Sequence, residues 1–263
     1  MFSFNVILTE KCNARCSHCY MSAGVSKKSL SKEQIDLFLS KIPVNTKTIV
    51  YTGGEVLLEK ELLHYAIKES KRVCPDAQIG VETNGIVLYN NLQKAVEELE
   101  FLKEIGVDFV RFSDDEFHAQ GGVNLEKVRE LKKLESEKTP TIKFLVQETA
   151  LAIGKAKDLP EEKQAVMNCM NNDSSVQNPY LFLDIDGGVH ICTWKCAPAV
   201  GNIFENDFQT VLSKLEDEFF KLILSGKIED AVDMVQPESK EANRAYAKSK
   251  GQCMLCNKIF KGE

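Results

Sequence analysis

Three cysteines near the start of the chain are spaced to hold an iron–sulfur cluster: Cys12, Cys16 and Cys19. They follow the β-like run Phe4–Thr9 directly, so their thiolates project from one loop at the carboxyl end of a strand. Three thiolates can hold three irons of a cubane and leave the fourth iron open, whereas closed electron-transfer clusters normally use four thiolates. The open iron is a place to bind a substrate or cofactor. A zinc site with His18 as fourth ligand is the alternative interpretation.

A second group of cysteines lies late in the chain. Between the two groups stands Cys74, which precedes Pro75 and is expected to be a buried or partly exposed thiol. Nine cysteines without an export signal favour metal ligands over a disulfide framework, because the cytosol keeps thiols reduced. We therefore expect a second metal site, either iron–sulfur or zinc, among the late cysteines, which are Cys169, Cys192, Cys196, Cys253 and Cys256.

Polar motifs follow the later β-like runs as well. Thr52–Glu55 reads Thr-Gly-Gly-Glu, in which the glycines permit close backbone approach and the carboxylate can accept from an ammonium group. Glu82–Gly85 reads Glu-Thr-Asn-Gly, and Ser113–His118 reads Ser-Asp-Asp-Glu-Phe-His. Because parallel strands present their carboxyl ends at one mouth of a barrel, we expect these segments to face the early cysteines. Taken singly, the Gly-Gly-Glu segment and Asn84-Gly85 are also compatible with ordinary turns, and His118 with a hydrogen-bonded structural residue.

The elements that position these motifs follow from hydrophobic spacing. The first half of the chain alternates β-like runs with amphipathic helical stretches, which is typical of parallel βα units. The first helix is expected to open at Ser31, where Gln34 completes a capping box. The predicted fold is α/β, a partial TIM-like barrel of about five to six parallel strands. We expect strands near Phe4–Thr9, Thr48–Thr52, Gln78–Thr83, Val107–Ser113 and Thr141–Val146.

Beyond about residue 160 the alternation stops. Leu181–Asp184 and Val189–Cys192 flank a glycine turn and predict a β-hairpin. Apolar residues from Phe208 to Ile223 recur at helical spacing and predict one amphipathic helix. We therefore expect two domains, the partial barrel over residues 1–160 and a small C-terminal cluster-binding domain over residues 161–263.

Charge and hydropathy disfavour two classes of partner. The chain has 33 basic and 39 acidic side chains, a formal charge of −6, and lacks a basic stripe interleaved with aromatic residues, so no nucleic-acid partner is expected. The first apolar stretch, Phe2–Leu8, is interrupted by Ser3 and Asn5 and is too short for a membrane span or a secretory segment. The expectation is a cytoplasmic protein that does not bind membranes.

The early motif resembles the signature of the radical S-adenosylmethionine (SAM) superfamily, C-x3-C-x2-C directly after the first barrel strand. The resemblance implies a [4Fe–4S] cluster whose open iron is chelated by the amino and carboxylate groups of SAM. Its ligands would be Cys12, Cys16 and Cys19. An electron from the cluster then splits SAM to give a 5′-deoxyadenosyl radical. His18 occupies the motif position that lies near the adenine.

The strand-end motifs resemble the other SAM-contacting segments of the superfamily. The segment similar to its GGE motif, which binds the amino group of SAM, consists of Gly53, Gly54 and Glu55. Contacts with the ribose or carboxylate of SAM are implied for Asn84 and Ser113. Contact with the substrate, and with it a catalytic role, is implied for Glu82, Asp115 and His118.

The late cysteines resemble the auxiliary-cluster domains named SPASM and, in shortened form, twitch. The similarity includes Gly187-x4-Cys192, the later segment Gly201-Asn202-Ile203 and the pair Cys253-x2-Cys256. Five late cysteines are too few for the two clusters of a full SPASM domain but suit a twitch domain with one auxiliary [4Fe–4S] cluster. The implied ligands are Cys169, Cys192, Cys253 and Cys256. Cys196 could replace Cys192, or it could lie beside the cluster as an unligated thiol.

These cofactors imply a radical SAM oxidoreductase whose auxiliary cluster accepts the second electron from an oxidised substrate, as in twitch-bearing dehydrogenases that act on aminocyclitols. An electron donor such as flavodoxin or ferredoxin is also implied. The chain starts at the first strand, without the peptide-binding domain of many peptide-modifying relatives, so a small molecule such as an aminocyclitol or sugar is the expected substrate. The alternatives are a maturase that installs crosslinks, thioethers or epimers in a peptide, and a non-catalytic iron–sulfur or zinc protein.

Overall fold

The computed structural model describes residues 1–169, 171 and 179–262. Its strands are β1 (Ser3–Thr9), β2 (Thr48–Gly53), β3 (Gln78–Thr83), β4 (Phe109–Ser113), β5 (Thr141–Leu145), β6 (Tyr180–Leu183), β7 (Gly188–His190) and β8 (Gly201–Asn202). They form one sheet in the order β5-β4-β3-β2-β1-β6-β7-β8. Strands β1 to β6 pair in parallel, and β7 and β8 are added antiparallel.

The sheet is an open barrel wall, because β5 and β8 lie at its two edges and do not pair with each other. Strand β1 lies between β2 and β6 and is buried from Phe4 to Thr9, as expected of a parallel strand that is covered on both faces. The parallel strands confirm the predicted fold class, an α/β partial barrel.

Helices follow the strands and cover the outer face of the sheet. In the first half they are α1 (Lys32–Lys41), α2 (Lys60–Val73), α3 (Ile86–Tyr89), α4 (Leu92–Glu104), α5 (Glu116–Gln120) and α6 (Leu125–Glu130). The capping box at the start of α1 is confirmed: the backbone N–H of Gln34 donates to Ser31 Oγ at 3.2 Å, and that of Ser31 donates to Gln34 Oε1 at 2.9 Å. Helix α1 then buries Ile35, Phe38 and Leu39 in the core.

The predicted hairpin is confirmed. Strand β6 pairs antiparallel with β7 across a turn in which Gly187 has a φ of 89°, a conformation that favours glycine. Strand β6 also pairs in parallel with β1, so this hairpin extends the same sheet. The division into domains at about residue 160 stays a prediction.

The single helix expected between Phe208 and Ile223 is wrong. The chain forms α7 (Phe208–Leu215) and α8 (Glu218–Leu224), because Asp217 takes an extended conformation with ψ at 140°. The break lets each helix bury its own apolar face. The remaining helices are α9 (Ile228–Val235), α10 (Lys240–Lys250) and α11 (Gln252–Lys261).

Two predicted strand boundaries are also too wide. Strand β4 begins at Phe109, since Val107 closes the end of α4 by donating its N–H to Leu102 O at 2.9 Å. Strand β5 ends at Leu145, and Val146 lies beyond it. Among the described helices, none has the length and apolar character needed to cross a membrane.

Candidate functional site

A cavity of about 930 Å³ lies at the carboxyl ends of the parallel strands. Both groups of cysteines line it, although they are far apart in sequence. The cysteines in its wall are Cys12, Cys16, Cys19, Cys169, Cys192, Cys196, Cys253 and Cys256. Cys74 is instead fully buried behind α2, with its thiol 3.5 Å from Pro43 O, as expected of a small core thiol. The volume is within the range of ordinary ligand pockets.

The early cysteines sit on a loop whose own backbone holds the sulfurs in place. The Sγ of Cys12 accepts from the N–H of Ala14 at 3.4 Å, and that of Cys19 accepts from the N–H of Ala23 at 3.4 Å. Burial raises the pKa of Cys16 to about 12, and the charges of the other two early thiols add to the shift. Burial alone therefore keeps this thiol protonated, and a bound metal would have to displace the proton.

Two glycines at the end of β2 bring this strand against the cysteine loop. A Cβ added to Gly54 would lie 2.2 Å from the backbone oxygen of Lys11 and 3.0 Å from the Cβ of Cys12. Gly53 has a φ of 149°, and an added Cβ would lie 2.1 Å from Thr9 O. The Gly-Gly pair is therefore required by packing, whatever it does for a cofactor.

Glu55 ends the same motif and is fully buried. Its carboxylate accepts from the backbone N–H of Leu57 at 3.0 Å, the hydroxyl of Thr83 at 2.7 Å and the N–H of Asn84 at 2.8 Å. Burial raises the pKa of Glu55 in spite of these three donors. Glu55 thus joins the end of β2 to the end of β3. Its predicted contact with the amino group of SAM stays a prediction.

Asn84 links the end of β3 to the cysteine loop. Its Nδ2 donates to Asn13 Oδ1 at 2.9 Å and lies 3.8 Å from the Sγ of Cys12, while its Oδ1 accepts from the N–H of Ile86. Ser113 ends β4 and lines the same cavity. Asn84 therefore lies beside Cys12 and Ser113 shares the cavity with it, while their contacts with SAM stay predictions.

His118 and Asp115 form a hydrogen-bonded pair at the start of α5. The Nδ1 of His118 lies 2.8 and 2.9 Å from the two carboxylate oxygens of Asp115, which also caps the helix. Burial by itself would raise the pKa of Asp115, but the hydrogen bonds and charge of His118 outweigh it and lower the pKa. His118 lines the cavity and Asp115 lies behind it, so Asp115 can act on a ligand only through His118.

His18 stacks on Phe117, with ring centroids 4.8 Å apart, and meets His118 edge-on at 4.8 Å. Burial lowers the pKa of His18 to about 4, so its imidazole is neutral at pH 7. One ligand atom each from Cys16, His18 and His118 lies within 4.8 Å of the others. This cluster could hold a metal ion, but of the three early cysteines it includes Cys16 and neither Cys12 nor Cys19.

Glu82 lines the cavity from β3 and forms an ion pair with Arg111 on β4. The Nη1 of Arg111 lies 2.8 Å from Glu82 Oε1. Tyr180, at the start of β6, donates its hydroxyl to Asn5 Oδ1 at 3.0 Å and lines the same cavity as Arg111. Three residues of this wall were not predicted from the sequence: Arg111, Tyr180 and Asn5. Arg111 could have been found, because it lies two residues before Ser113 and so on the same face of β4.

The late cysteines converge because segments far apart in sequence pack together. Cys253 and Cys256 lie three positions apart on α11, which places both on one face of the helix. The N–H of Cys253 donates to Met167 O at 3.2 Å, and the N–H of Cys169 donates to Gln252 Oε1 at 2.9 Å. Cys192 follows β7 and completes the group.

The donor sets fit iron–sulfur clusters chemically. The charges of Cys169, Cys192 and Cys253 all act on Cys256, so these four sulfurs are mutual neighbours. Burial raises the pKa of Cys253 to about 12. Two buried and two half-buried thiols in the wall of one cavity suit a cubane with full cysteine ligation, and the three early thiols suit a cubane with one open iron.

Comparisons with known proteins agree with this geometry. Residues 6–135 match the Radical SAM superfamily. The chain is 34% identical over 116 residues to molybdenum cofactor biosynthesis protein 1 of Dictyostelium discoideum, a match that covers 42% of this chain and 17% of that protein. It is 30% identical over 144 residues to the sporulation killing factor maturation protein SkfB of Bacillus subtilis, covering 51% of this chain and 33% of SkfB. The matched part is thus a third or less of each relative's length.

Among solved structures, BtrN in complex with AdoMet and 2-DOIA is similar over 88% of this chain and 90% of BtrN. The TM-score is 0.62 at 18% sequence identity, a likeness of fold. The family match includes the cysteine loop, the Gly-Gly-Glu turn and the ends of β3 and β4, which line one cavity. Residues 6–135 of this chain therefore form a radical SAM domain.

Proposed function

We propose that the protein is a radical SAM oxidoreductase that removes a hydrogen atom and then an electron from a small polar substrate held between two iron–sulfur clusters. The observation that supports this most strongly is the shared cavity, which is lined by three early and five late cysteines. A substrate in this cavity would lie within reach of both cysteine groups.

Cys12, Cys16 and Cys19 would hold a cubane with one open iron, and Cys169, Cys192, Cys253 and Cys256 would hold the auxiliary cubane. When bound, the first cluster supplies the electron that splits SAM, and the second accepts an electron from the substrate. Gly53 and Gly54 bring the end of β2 against the cysteine loop, and Asn84 and Ser113, which line the same cavity, would contact SAM.

Glu82 and Arg111 are proposed to orient the substrate. Their ion pair uses one carboxylate oxygen of Glu82 and one guanidinium nitrogen of Arg111, so the second oxygen of Glu82 is placed to accept a proton from a substrate hydroxyl. Oxidation of an alcohol carbon removes one hydrogen atom, one proton and one electron. The deoxyadenosyl radical takes the hydrogen atom, Glu82 the proton and the auxiliary cluster the electron.

His118 and Asp115 are proposed to act on the cofactor side. Asp115 holds the imidazole of His118 beside His18 and Cys16, at the early cysteines. The family resemblance instead implies contact with the substrate for Glu82, Asp115 and His118.

A second candidate function is a zinc protein without catalytic activity, and the close approach of Cys16, His18 and His118 favours it. A peptide substrate is the other alternative, since the chain is similar to SkfB, whose name describes a maturation protein. Either substrate would be activated by loss of a hydrogen atom to the deoxyadenosyl radical.

The test is substrate-coupled cleavage of SAM by the anaerobically reconstituted protein. Aminocyclitols, sugars and short peptides are screened for a compound that increases the release of 5′-deoxyadenosine. We expect a polyol to do so in the wild type, and Arg111→Gln to lose the stimulation while retaining the slow uncoupled cleavage of SAM. Lys143→Gln is the matched control, because Lys143 is the exposed neighbour of Arg111 on β5. Stimulation by peptides alone would refute the small-molecule proposal.

A further inference from the structure

Cys169 approaches the other late cysteines at the end of residues 165–169, which lie outside the helices and strands. We call these residues the Cys169 segment. The start of α11 packs directly on it, since the N–H of Cys253 donates to Met167 O at 3.2 Å. A Cβ added to Gly251, which has a φ of 89°, would lie 2.6 Å from the same oxygen. Close contact with α11 therefore fixes this segment at Met167.

Asn171 fixes the chain on the other side of Cys169. Its Nδ2 donates to the backbone oxygens of Ile191 at 3.1 Å and Ile223 at 3.3 Å. Gly226, in the turn between α8 and α9, has a φ of 76°, and an added Cβ would lie 2.4 Å from Asn171 O. The chain is thus held by close backbone packing both before and after Cys169.

Gln252 connects Cys169 itself to its surroundings. It is the first residue of α11 and lines the cavity. Its Oε1 accepts from the backbone N–H of Cys169 at 2.9 Å. Its Nε2 donates to Glu229 Oε2 at 2.6 Å and to Gly226 O at 3.4 Å. Because a backbone N–H can only donate and an ionised carboxylate can only accept, these partners fix the orientation of the amide.

The two partners of this amide make opposite demands on the side chain at position 252. It must accept from Cys169 on one side and donate to Glu229 on the other. An amide does both, whereas an ionised carboxylate has no donor. A carboxylate at this position would also meet that of Glu229 at close range, and like charges repel. The chemical type of Gln252, and not only its size, therefore determines how it holds Cys169.

We propose that Gln252 is a positioning residue that holds Cys169 against α11, so that the Cys169 sulfur can share one auxiliary cluster with Cys253 and Cys256. This inference depends on the proposed function, since it requires a cluster on the late cysteines. The outer partners of metal ligands orient those ligands, and their loss weakens metal binding by about 10- to 100-fold. Because the Cys169 segment has no helix or strand of its own, the position of its thiol depends on contacts of this kind.

The test reverses the hydrogen bond between Gln252 and Glu229. Gln252→Glu places two carboxylates opposite each other, whereas the double variant Gln252→Glu/Glu229→Gln again places a donor opposite an acceptor. Glu229→Gln alone keeps an amide oxygen as acceptor and should behave like the wild type. Gln93→Glu is the matched control, because Gln93 donates to Glu97 at 3.1 Å on the exposed face of α4.

Iron per chain and the EPR signal of the reduced auxiliary cluster are measured after anaerobic reconstitution. Hydrogen exchange of the Cys169 amide is measured on the metal-free protein. We expect about eight irons in the wild type, two cubanes, and a decrease toward about four in Gln252→Glu, with loss of the auxiliary signal. The Cys169 amide should also exchange faster in Gln252→Glu. The double variant should recover the iron, the signal and the slow exchange, and Gln93→Glu should match the wild type in all three.

The outcomes separate this inference from the proposed function. Either full iron content or unchanged exchange in Gln252→Glu would overturn the inference and leave the auxiliary cluster in place. Failure of the double variant to recover what Gln252→Glu loses would overturn it as well, because the pattern of donor and acceptor would then not matter. Only about four irons in the wild type would overturn the inference and the proposed auxiliary cluster together.

Discussion

Because β2 packs closely against the cysteine loop, glycine-to-alanine substitutions are expected to lower the stability of the protein by different amounts at different positions. At Gly54 an added Cβ would meet the backbone of Lys11 at 2.2 Å, and a backbone atom cannot swing away as a flexible side chain can. Overpacking of this kind costs about 1–3 kcal/mol. At Gly53 the added Cβ meets Thr9 O at 2.1 Å and the φ of 149° adds backbone strain, so we expect a total cost of about 2–6 kcal/mol.

Substitutions at two other glycines allow the stability cost of backbone strain to be measured separately from the cost of close approach. Gly122 has a φ of 99° but nothing within 4 Å of an added Cβ, so Gly122→Ala is expected to cost about 1–3 kcal/mol by strain alone. Gly24 has open space around an added Cβ and no positive φ, so Gly24→Ala should stay within about 0.5 kcal/mol of the wild type.

The assay is urea denaturation of the four variants, together with the iron bound after anaerobic reconstitution. We expect Gly53→Ala and Gly54→Ala to bind less iron, because the displaced backbone includes the neighbour of Cys12, whereas Gly122→Ala should lose stability but keep its iron. If Gly54→Ala matched Gly24→Ala in both stability and iron content, the packing argument would be refuted.

Three further predictions follow from individual side chains. Cys16→Ala should abolish release of 5′-deoxyadenosine and lower the iron content, whereas Cys74→Ala, which changes a thiol outside the cavity, should leave both unchanged in anaerobic assays. Arg111→Gln removes a charge-assisted hydrogen bond of about 1.5–3 kcal/mol and should lower kcat/KM for the coupled substrate by about 10- to 100-fold. A decrease of less than about threefold would contradict a role of Arg111 in binding the substrate. Burial would raise the pKa of Asp184, but hydrogen bonds and nearby cations outweigh burial, so the pKa is lowered in the folded state. The stability that the Asp184 carboxylate contributes is therefore present above the unfolded pKa. It is lost as the pH falls through the lower, folded pKa. Urea midpoints measured from pH 5 to pH 3 should therefore fall more steeply in the wild type than in Asp184→Asn, and parallel curves would contradict this.

Much of the cofactor side of the cavity could be predicted because its determinants are local. The spacing of the early cysteines after β1, and the motifs that end β2 and β3, require only that parallel strands end at one mouth. The Gly-Gly pair could be predicted to permit close backbone approach, but its spacing does not identify Thr9 and Lys11 as the backbone that it meets. The position of Glu55, buried among donors from its own turn and from the end of β3, depends on tertiary packing that no spacing rule describes.

The late half could be predicted less completely, since its contacts join segments distant in sequence. That Cys169 reaches Cys253 depends on the packing of Met167 against the start of α11. Spacing alone also left Cys192 and Cys196 interchangeable as ligands, and both thiols line the cavity.

The measurement that tests the central claim most directly is the fate of SAM on the reduced, anaerobically reconstituted protein. An open iron held by Cys12, Cys16 and Cys19 predicts reductive cleavage to 5′-deoxyadenosine and methionine in equal amounts. Intact SAM, together with a tetrahedral zinc ion bound at these cysteines, would contradict the account.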